Sequence, residues 1–275
     1  MNLAFLQSPV RQLYRSLINF SRIEWDEKKL GGSAIVFAPH QDDETLGCGG
    51  TIIRKKQAGA DLKIVFMTDG SKSHSHLITE RELKNIRREE ALAADQKLGV
   101  EERDVIFLEV KDGTLSNNLI STIQRVSNII LDFLPQEIFI PYGQDGVPDH
   151  DATNHIVIAA LKQCEFSAMV YEYPIWFWNH YPWTKGTDDR KNILSFFKNN
   201  LMPGLSLFKE FKTSVYIGDV LDCKRAALNE HKSQISELIP HPHWFTLQNV
   251  SQGEFLECFF QNYELFRQTI LDFRF

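Results

Sequence analysis

Short apolar runs alternate with stretches of helical spacing along this chain, and no other feature of the sequence restricts its fold as much. Such alternation is typical of a parallel sheet covered by helices. The patterns predict strands at Ala34–Ala38, Leu62–Thr68, Asp104–Leu108, Glu137–Pro141, Ala168–Tyr173 and Ser214–Ile217. They predict helices near Gly50–Ala58, Thr79–Leu98, Ser116–Phe133 and Asp151–Cys164. We therefore expect an α/β fold, with a Rossmann-like, mostly parallel sheet and helices on both faces.

The length of 275 residues suits one large domain with small additions at its ends. Apolar residues spaced as on one face of a helix predict an amphipathic N-terminal helix or extension over residues 1–30. Core packing and contact with a membrane surface are both open for that helix. Residues 31–236 form the predicted main domain, and residues 237–275 a small helical C-terminal extension packed on it. Thr79 and Glu82 predict a capping box at the start of the second helix, and Gly99 predicts its end.

Composition excludes several classes of protein. The net charge is −6 and no basic block is present, which argues against nucleic acid as a partner. No run of 18 apolar residues exists, so we expect no transmembrane segment. The four cysteines are scattered, which favours reduced thiols and a cytoplasmic location. A homo-oligomer is compatible with these properties.

Titratable side chains crowd together directly after the first predicted strand. The stretch Ala38–Glu44 contains His40, Asp42, Asp43 and Glu44. Adjacent carboxylates repel one another unless a cation compensates their charge. Histidine and aspartate are good ligands for zinc, and a spare carboxylate can act on a bound water. We interpret this stretch as one half of a metal site rather than as a solvated acidic turn.

A second His/Asp cluster, residues 141–151, follows the predicted strand Glu137–Pro141. The carboxyl ends of parallel strands share one rim of the sheet, where ligands of such folds bind. His40, Asp43 and His150 can then supply three protein ligands and leave a fourth position for water, as in catalytic zinc sites. The glycines at 47, 49 and 50 do not match a dinucleotide fingerprint. We expect them to let the loop fold back beneath the metal ligands.

The stretch Pro39–Gly50 resembles the signature of the LmbE/PIG-L family of zinc-dependent N-deacetylases, whose usual form is His-Pro-Asp-Asp-Glu. Further matches are Thr68–Gly70, Arg87–Glu90, Pro148–His150 and the segment Lys224–Gln234, so that the resemblance runs from about residue 33 to about residue 236. It implies a fold of this class, zinc on His40, Asp43 and His150, and Asp42 as general base. It also suggests that Arg87 and Glu90 form part of the site wall.

Two departures from the family pattern are present. Gln41 replaces the usual proline, and Val147 stands where the family commonly has a histidine that helps to stabilise the oxyanion. Loss of one such group typically lowers turnover about 10²- to 10³-fold. His231 is our candidate substitute, because the family helix places a histidine there. An exposed helix residue without a special role is the alternative for His231.

Several other residues are candidates for supporting roles. We expect Glu44 and Asp149 to support the ligands, and Asp69 to orient a ligand histidine through its second ring nitrogen. A turn-forming Asp-Gly pair is the alternative for Asp69. The aromatic stretch Tyr171–Trp183, including Trp176, suits the apolar face of a sugar, and it also suits ordinary packing or a subunit contact.

Together these features predict a zinc-dependent hydrolase that removes an N-acyl group from an amino sugar or an N-acetylglucosamine-containing conjugate. Asp42 would accept a proton from water, and Asp42 or His231 would protonate the leaving amine. A zinc-binding, carbohydrate-binding pseudo-enzyme and an amidase with another substrate are the alternatives. A glycosyltransferase using Asp42 and Asp43 on a divalent metal would need oxygen-only ligands, whereas two histidines favour zinc.

Overall fold

The computed structural model describes residues 4–180, 182–184 and 208–273 of the chain. The strands are β1 Ile23–Glu24, β2 Ala34–Ala38, β3 Leu62–Thr68, β4 Val105–Val110, β5 Glu137–Pro141, β6 Ala168–Tyr173, β7 Thr213–Tyr216 and β8 Tyr263–Leu271. The helices are α1 Ala4–Ser21, α2 Asp43–Gln57, α3 Glu80–Leu98, α4 Leu119–Phe133, α5 Pro148–Gln163, α6 Leu221–Leu228, α7 Lys232–Ile235 and α8 Glu254–Glu257. Short 3₁₀ helices lie at Glu27–Gly31, Glu102–Asp104, Leu115–Asn118, Trp176–Trp178 and Leu247–Gly253.

The described strands form one sheet in the order β1-β7-β8-β6-β5-β2-β3-β4. Its strands pair in parallel except β8, which is antiparallel to both β6 and β7. The strand order reverses at β2, since β3 and β4 follow on one side while β5 and β6 lie on the other. The carboxyl ends of β2 and β5 therefore border the crevice in which open α/β sheets bind ligands.

The sheet is buried on both faces, which explains the continuous apolar runs in its central strands. In β2, Val36 and its alternate neighbours belong to one core cluster, which includes α2 and the α6 side chain Ala227. Ile35 and Phe37 point the other way, into a core shared with α4 and α5. Because side chains alternate along a strand, one short segment joins both cores and holds the residues that follow it rigidly.

The predicted parallel elements are confirmed. Four predicted strands have the observed bounds of β2, β3, β5 and β6, and the other two differ by one or two residues at their ends. Thr79 and Glu82 form the predicted capping box of α3, and Gly99 ends this helix in the left-handed conformation at a φ of 89°. The N-terminal helix is present as α1, and Ile23–Glu24 then pairs with β7 at the sheet edge.

The prediction of a helical extension for residues 237–275 is wrong for its last part. α8 lies in this segment, but Tyr263–Leu271 forms β8, which is inserted between β6 and β7. The buried positions of β8 include Glu264 beside Phe266. A charged residue on the inward face broke the alternation by which a half-buried strand is detected. Residues 263–271 therefore complete the sheet of the main domain.

The expectation that glycines form a loop beneath the metal ligands is also wrong, because α2 already begins at Asp43. Gly47 and Gly50 lie within this helix, where a Cβ on Gly47 would clash with the Tyr173 ring and one on Gly50 with Ile217. These glycines permit close approach of the helix to the sheet and to the segment after β7.

Among the residues that the structure describes, no helix is both long and apolar enough to cross a bilayer.

Candidate metal centre and active site

Two helix starts bring the candidate ligands together at the crevice. α2 follows β2 and carries Asp43 in its first turn, while α5 follows β5 and carries His150. His40 lies in the turn between β2 and α2. Carboxylates are favourable at a helix N-terminus, because the backbone N–H groups there point towards them. The acidic first turns of α2 and α5 thus face each other across the switch point of the sheet.

Three side chains converge on one oxygen. Asp43 Oδ2 lies 3.3 Å from His40 Nδ1 and 3.3 Å from His150 Nε2. The donor atoms of this trio lie within 4.8 Å of one another. His150 is fully buried, and neither ring nitrogen has hydrogen-bond geometry to a described residue, although Nδ1 lies 2.8 Å from Asp145 Oδ2. A buried nitrogen without a partner is costly unless something binds it. This donor set of two imidazoles and one carboxylate fits a zinc ion with three protein ligands.

Each candidate histidine ligand has an aspartate at its other ring nitrogen. His150 Nδ1 lies 2.8 Å from Asp145 Oδ2, and His40 Nε2 lies 3.5 Å from Asp112 Oδ1 and 3.5 Å from Asp149 Oδ2. Such carboxylates fix the tautomer and ring orientation of metal-binding histidines. His40 Nδ1 and His150 Nε2 are therefore the nitrogens left for a metal ion.

The charges of the cluster call for a cation. Burial lowers the pKa of His40, but hydrogen bonds to Asp112, Asp149 and Asp43 outweigh it and raise that pKa well above its usual range. Burial likewise lowers the pKa of His150, and the charges of Asp43 and Asp145 reverse the shift. In both cases the surrounding carboxylates favour a positive charge at the imidazole. A divalent ion bound by His40 Nδ1, His150 Nε2 and Asp43 would compensate the negative charge of the same carboxylates.

Sequence reasoning missed Asp112 and Asp145. Asp112 follows the carboxyl end of β4, just as the two His/Asp clusters follow β2 and β5. Its position after a predicted strand could therefore have identified it as a site residue. Burial raises the pKa of Asp112, but the hydrogen bond and charge of His40, the charge of Arg87 and a bond from the Lys72 N–H together lower it to about 2. Asp145 also accepts bonds from the backbone N–H groups of residues 175–177, which ties the aromatic segment to the metal cluster.

Asp69 does not contact a ligand histidine. Its Oδ1 accepts hydrogen bonds from the backbone N–H groups of Ser71 and Asp112, at 3.1 and 3.0 Å. It therefore shapes the loop that presents Asp112, and Asp112 with Asp149 takes the place at His40 for which we expected Asp69. Asp149 in turn accepts bonds from the N–H groups of Gly113 and Leu115.

Asp42 lies beside the trio in a strained conformation. Its φ of 142° is outside the range that residues with a side chain normally adopt. The backbone N–H of Asp42 donates to Glu44 Oε2 at 3.0 Å, and Arg87 Nη2 lies 3.3 Å from Asp42 Oδ1. Burial raises the pKa of this carboxyl to about 6, although the Arg87 guanidinium opposes the shift. Arg87 also donates to the Gln41 carbonyl and so holds the turn from the side of α3.

His231 is fully buried behind Glu44 rather than exposed on a helix. Its Nε2 lies 3.0 Å from Glu44 Oε1, and this carboxylate binds the backbone of Asp42 through its other oxygen. His231 is not among the described residues that line the cavity at the metal cluster. Glu90 holds the segment after His231 in place. Its carboxylate accepts hydrogen bonds from the backbone N–H and from the hydroxyl of Ser233. Direct protonation of a substrate by His231, which we expected as one option, does not follow from this placement.

A cavity of about 400 Å³ opens beside the metal cluster. Its polar wall includes His40, Asp42 and Asp43, and its apolar wall includes Val147, Trp176 and Phe255. The rings of Trp176 and Phe255 stack with their centroids 4.9 Å apart. Lys72 lines the same cavity, in the loop that follows β3. From the aromatic stretch noted in the sequence, Trp176 thus reaches the cavity, while Tyr181 is outside the described residues.

Fold and site together define an α/β protein with a candidate metal centre at the carboxyl end of its parallel strands. Residues 35–161 match the model of the PIG-L family, described as GlcNAc-PI de-N-acetylase. The matched range is a little under half of the chain and contains His40, Asp43 and His150.

Named relatives agree with this assignment. The chain is 29% identical over 164 residues to the probable N-acetyl-alpha-D-glucosaminyl L-malate deacetylase 2 of Bacillus anthracis, covering 58% of this chain and 71% of the relative. The N,N'-diacetylchitobiose deacetylase from Pyrococcus horikoshii has a similar structure, with a TM-score of 0.62 at 18% identity over 96% of this chain and 92% of that one.

The same fold also supports other chemistry. The 4-carboxy-2-hydroxymuconate hydratase from Pseudomonas putida aligns with a TM-score of 0.58 at 17% identity, covering 86% of this chain and 96% of that one. Fold similarity at this level of identity therefore does not select the reaction, which must be argued from the site.

Proposed function

We propose that this protein is a zinc-dependent N-deacetylase that releases acetate from an N-acetylglucosamine-type amino sugar or a conjugate of one. One observation carries the proposal. Asp42 lies next to the trio His40, Asp43 and His150, and all of them except buried His150 line one cavity. The match to the PIG-L family and the names of the relatives support the same reaction.

The choice of zinc rests on the donor set. His40 Nδ1, His150 Nε2 and a carboxylate oxygen of Asp43 are the atoms that would hold the ion. Imidazole nitrogens favour zinc and its neighbours over magnesium, which prefers an all-oxygen shell. When bound, zinc lowers the pKa of a water molecule and polarises an amide carbonyl.

Asp42 is the residue that would move protons. Its carboxylate accepts a proton from the water whose oxygen attacks the acyl carbon, and the same proton is delivered to the nitrogen as the C–N bond breaks. The products are acetate and a free amine. Arg87 holds the carboxylate on one side, and Glu44 holds its backbone on the other. Glu44 and His231 therefore act as positioning residues for Asp42.

Lys72 supports the proposal at the position where the family histidine is missing. Val147 and Lys72 both line the cavity. The Lys72 Nζ lies against Gly113, only 2.6 Å from where a Cβ on that glycine would be. Gly113 N also donates to Asp149, whose carboxylate contacts His40 as well, so Lys72 packs on the loop that borders the metal cluster. We assign to Lys72 the stabilisation of negative charge on the acyl oxygen, in the role of the absent histidine.

The apolar wall suits a sugar ring. Trp176 and Phe255 present stacked aromatic side chains to a cavity whose opposite wall is charged. A volume of about 400 Å³ lies within the range of small-molecule sites and accommodates a sugar unit with its acetamido group. The two deacetylases named above act on N-acetylglucosamine derivatives, which is the substrate class that we propose.

A zinc-binding, carbohydrate-binding protein with little turnover is the second candidate, favoured by Val147 in place of the family histidine. To separate the two, the purified protein is assayed for metal content and for acetate released from N-acetylglucosamine and N,N'-diacetylchitobiose. We expect one zinc per chain and release of acetate that chelation abolishes and zinc restores. Zinc with sugar binding but no acetate release would favour the second candidate, and absence of any transition metal would contradict both.

A further inference from the structure

A second cavity, of about 420 Å³, lies between the N-terminal helix and the segment before β8. α1 supplies Arg15 and Asn19 to its wall, and Arg22 follows directly after this helix. The opposite wall includes Trp178, Trp183 and Tyr263. Of the residues that the structure describes, none lines both this cavity and the one beside the candidate metal centre. The arginine-lined cavity, as we call it, is therefore a separate compartment of about the same size as the catalytic cavity.

Its charge is unusual for this molecule. The chain as a whole carries a net charge of −6, yet the described wall of the arginine-lined cavity contains two arginines and no carboxylate. Arg11, one turn before Arg15, is paired with Glu254 at 3.1 Å. Arg15 and Arg22 have no such carboxylate partner among the described residues. An arginine pair without counter-charge in a cavity is the arrangement that binds carboxylate or phosphate groups.

Unpaired donors point to the same conclusion. Arg15 Nε is buried and lacks a hydrogen-bond partner among the described residues, and the same holds for Nε1 of Trp183, a side chain that is 3% exposed. Buried donors without a partner are rare in folded proteins and call for an acceptor. Arg22 lies over the Tyr263 ring at 3.3 Å and donates through Nη1 to Asn19 Oδ1, so its guanidinium is held in a defined place.

The aromatic side chains of the wall indicate what the uncharged part of the ligand is. Trp178 and Trp183 are packed edge to face, with centroids 5.1 Å apart and planes at 88°, so that their faces point in different directions. Indole rings next to guanidinium groups suit a compact ring that bears an anionic group. A volume of about 420 Å³ suits a monosaccharide phosphate.

We propose that the arginine-lined cavity binds a phosphate monoester of a sugar, with the phosphate on Arg15 and Arg22 and the sugar against Trp178 and Trp183. This site does not depend on the proposed deacetylase activity. Glucose 6-phosphate is the probe of choice, because it lacks an acetamido group and so does not imitate the proposed substrate.

The test is calorimetric titration of the zinc-loaded full chain with glucose 6-phosphate, glucose and inorganic phosphate. We expect saturable binding of glucose 6-phosphate that is tighter than binding of either fragment. Arg15→Gln and Arg22→Gln should each weaken it about tenfold or more, since each removes a charge-assisted hydrogen bond. Arg103→Gln, which removes the same charge from an arginine that is 77% exposed, should leave it unchanged.

A second variant guards against failure of the arginine variants to fold. Asn19→Asp keeps the size of the side chain but introduces a carboxylate at Arg22, and it should also abolish binding. Vesicles that contain phosphatidic acid form a further arm, because a lipid headgroup can carry the same phosphate monoester. Binding of those vesicles but not of glucose 6-phosphate would identify a lipid as the source. Equal affinity of the wild type, Arg15→Gln and Asn19→Asp for both probes would overturn the proposal.

Discussion

At the scale of single residues, the most constrained position is Asp42. Its backbone has a φ of 142°, and its carboxyl is buried between Arg87 and the neighbouring acidic groups. Strain of this kind persists only where surrounding contacts enforce it, and it concentrates at functional sites. Here the contacts are hydrogen bonds from Arg87 to the turn and from Asp42 N to Glu44. The fold thus pairs the Asp42 carboxylate with Arg87, although the candidate ligand Asp43 is its neighbour in sequence.

Replacement of this carboxylate tests its role directly. In Asp42→Asn we expect acetate release to fall about 10²- to 10⁴-fold, because the amide cannot accept a proton from water. Zinc content, measured by elemental analysis, should stay at the wild-type level because Asp42 is not a ligand. Asp132→Asn on the exposed side of α4 is the matched control and should retain full turnover. Near-normal turnover in Asp42→Asn would remove Asp42 from the reaction.

Lys72 allows a second test at this scale. Lys72→Met approximately keeps the length of the side chain but removes the ammonium group from the cavity wall. We expect kcat to fall about 10²-fold while KM changes little. The reason is that charge on the acyl oxygen develops only during the reaction. Lys162→Met, at an exposed position of α5, serves as control. A variant in which only KM rises would show that Lys72 anchors the substrate instead.

His180 makes stability depend on pH. Burial lowers the pKa of this side chain to about 4, whereas an unfolded histidine titrates near 6.5. Above about pH 6.5 both states are neutral and stability is unaffected. As the pH falls from about 6.5 towards about 4, the unfolded chain takes up the proton first and stability is lost.

The expected loss from His180 between pH 7 and pH 5 is about 2 kcal/mol. Urea unfolding at both pH values should show this loss in the wild type and a smaller one in His180→Gln, since other groups contribute equally to both proteins. Identical pH dependence in the two proteins would mean that His180 is not buried as a neutral group.

At the scale of secondary-structure elements, the start of α2 organises the site. The helix begins at the candidate ligand Asp43, and its glycines bring it into contact with β6 and the residue after β7. Tyr173, which packs against Gly47, donates a hydrogen bond from its hydroxyl to the Phe37 carbonyl at 2.7 Å. Helix α2, β2 and β6 are thereby locked together one turn away from the metal trio.

Gly47→Ala should be destabilising although alanine is the better helix former. Alanine in place of glycine favours a helix by about 1 kcal/mol. The clash with Tyr173 should cost more, about 1–3 kcal/mol, and should also lower zinc affinity by displacing Asp43. Gly31→Ala is the matched control, because the nearest atom to its new Cβ would be 3.7 Å away. Denaturant unfolding and zinc titration measure both effects, and a more stable Gly47→Ala protein would contradict this packing.

The elements differ in how well they could be predicted. Apolar runs such as Ala34–Ala38 are buried on both faces of the sheet. A strand of this kind needs consecutive apolar residues, so it can be predicted from a short stretch of sequence. The start of α2 could not be predicted, since carboxylates and glycines are typical of loops. The glycines are explained only by the close contacts of Gly47 with Tyr173 and of Gly50 with Ile217. β8 was hidden because its inward face carries Glu264, whose partners lie far away in sequence.

At the scale of the whole molecule, Glu264 joins the C-terminal strand β8 to helix α2. Its carboxylate accepts hydrogen bonds from the N–H groups of Gly50 and Thr51, from the Thr51 hydroxyl, and from Lys224 Nζ at 2.7 Å. Lys224 is fully buried and also donates to the carbonyls of Leu46 and Phe259. One buried ion pair thus connects β8, α2 and α6.

Breaking this connection should affect the entire fold. Glu264→Gln leaves the Lys224 ammonium group buried without a counter-charge, a change that typically costs about 3–5 kcal/mol. We expect a correspondingly lower urea midpoint, whereas Glu257→Gln at an exposed position should change stability by about 0.5 kcal/mol or less. Wild-type stability of Glu264→Gln would show that β8 is held by its strand pairing alone.

The sequence by itself determined the parallel strands and the placement of His/Asp clusters after two of them, because burial of a strand and the residues that follow it are local properties. Only the tertiary structure decided which carboxylates support which histidine, that His231 lies behind Glu44, and that residues 263–271 enter the sheet. It also formed the arginine-lined cavity from α1 and a segment more than 150 residues away along the chain. These features depend on contacts between distant residues, and no short pattern in the sequence encodes such contacts.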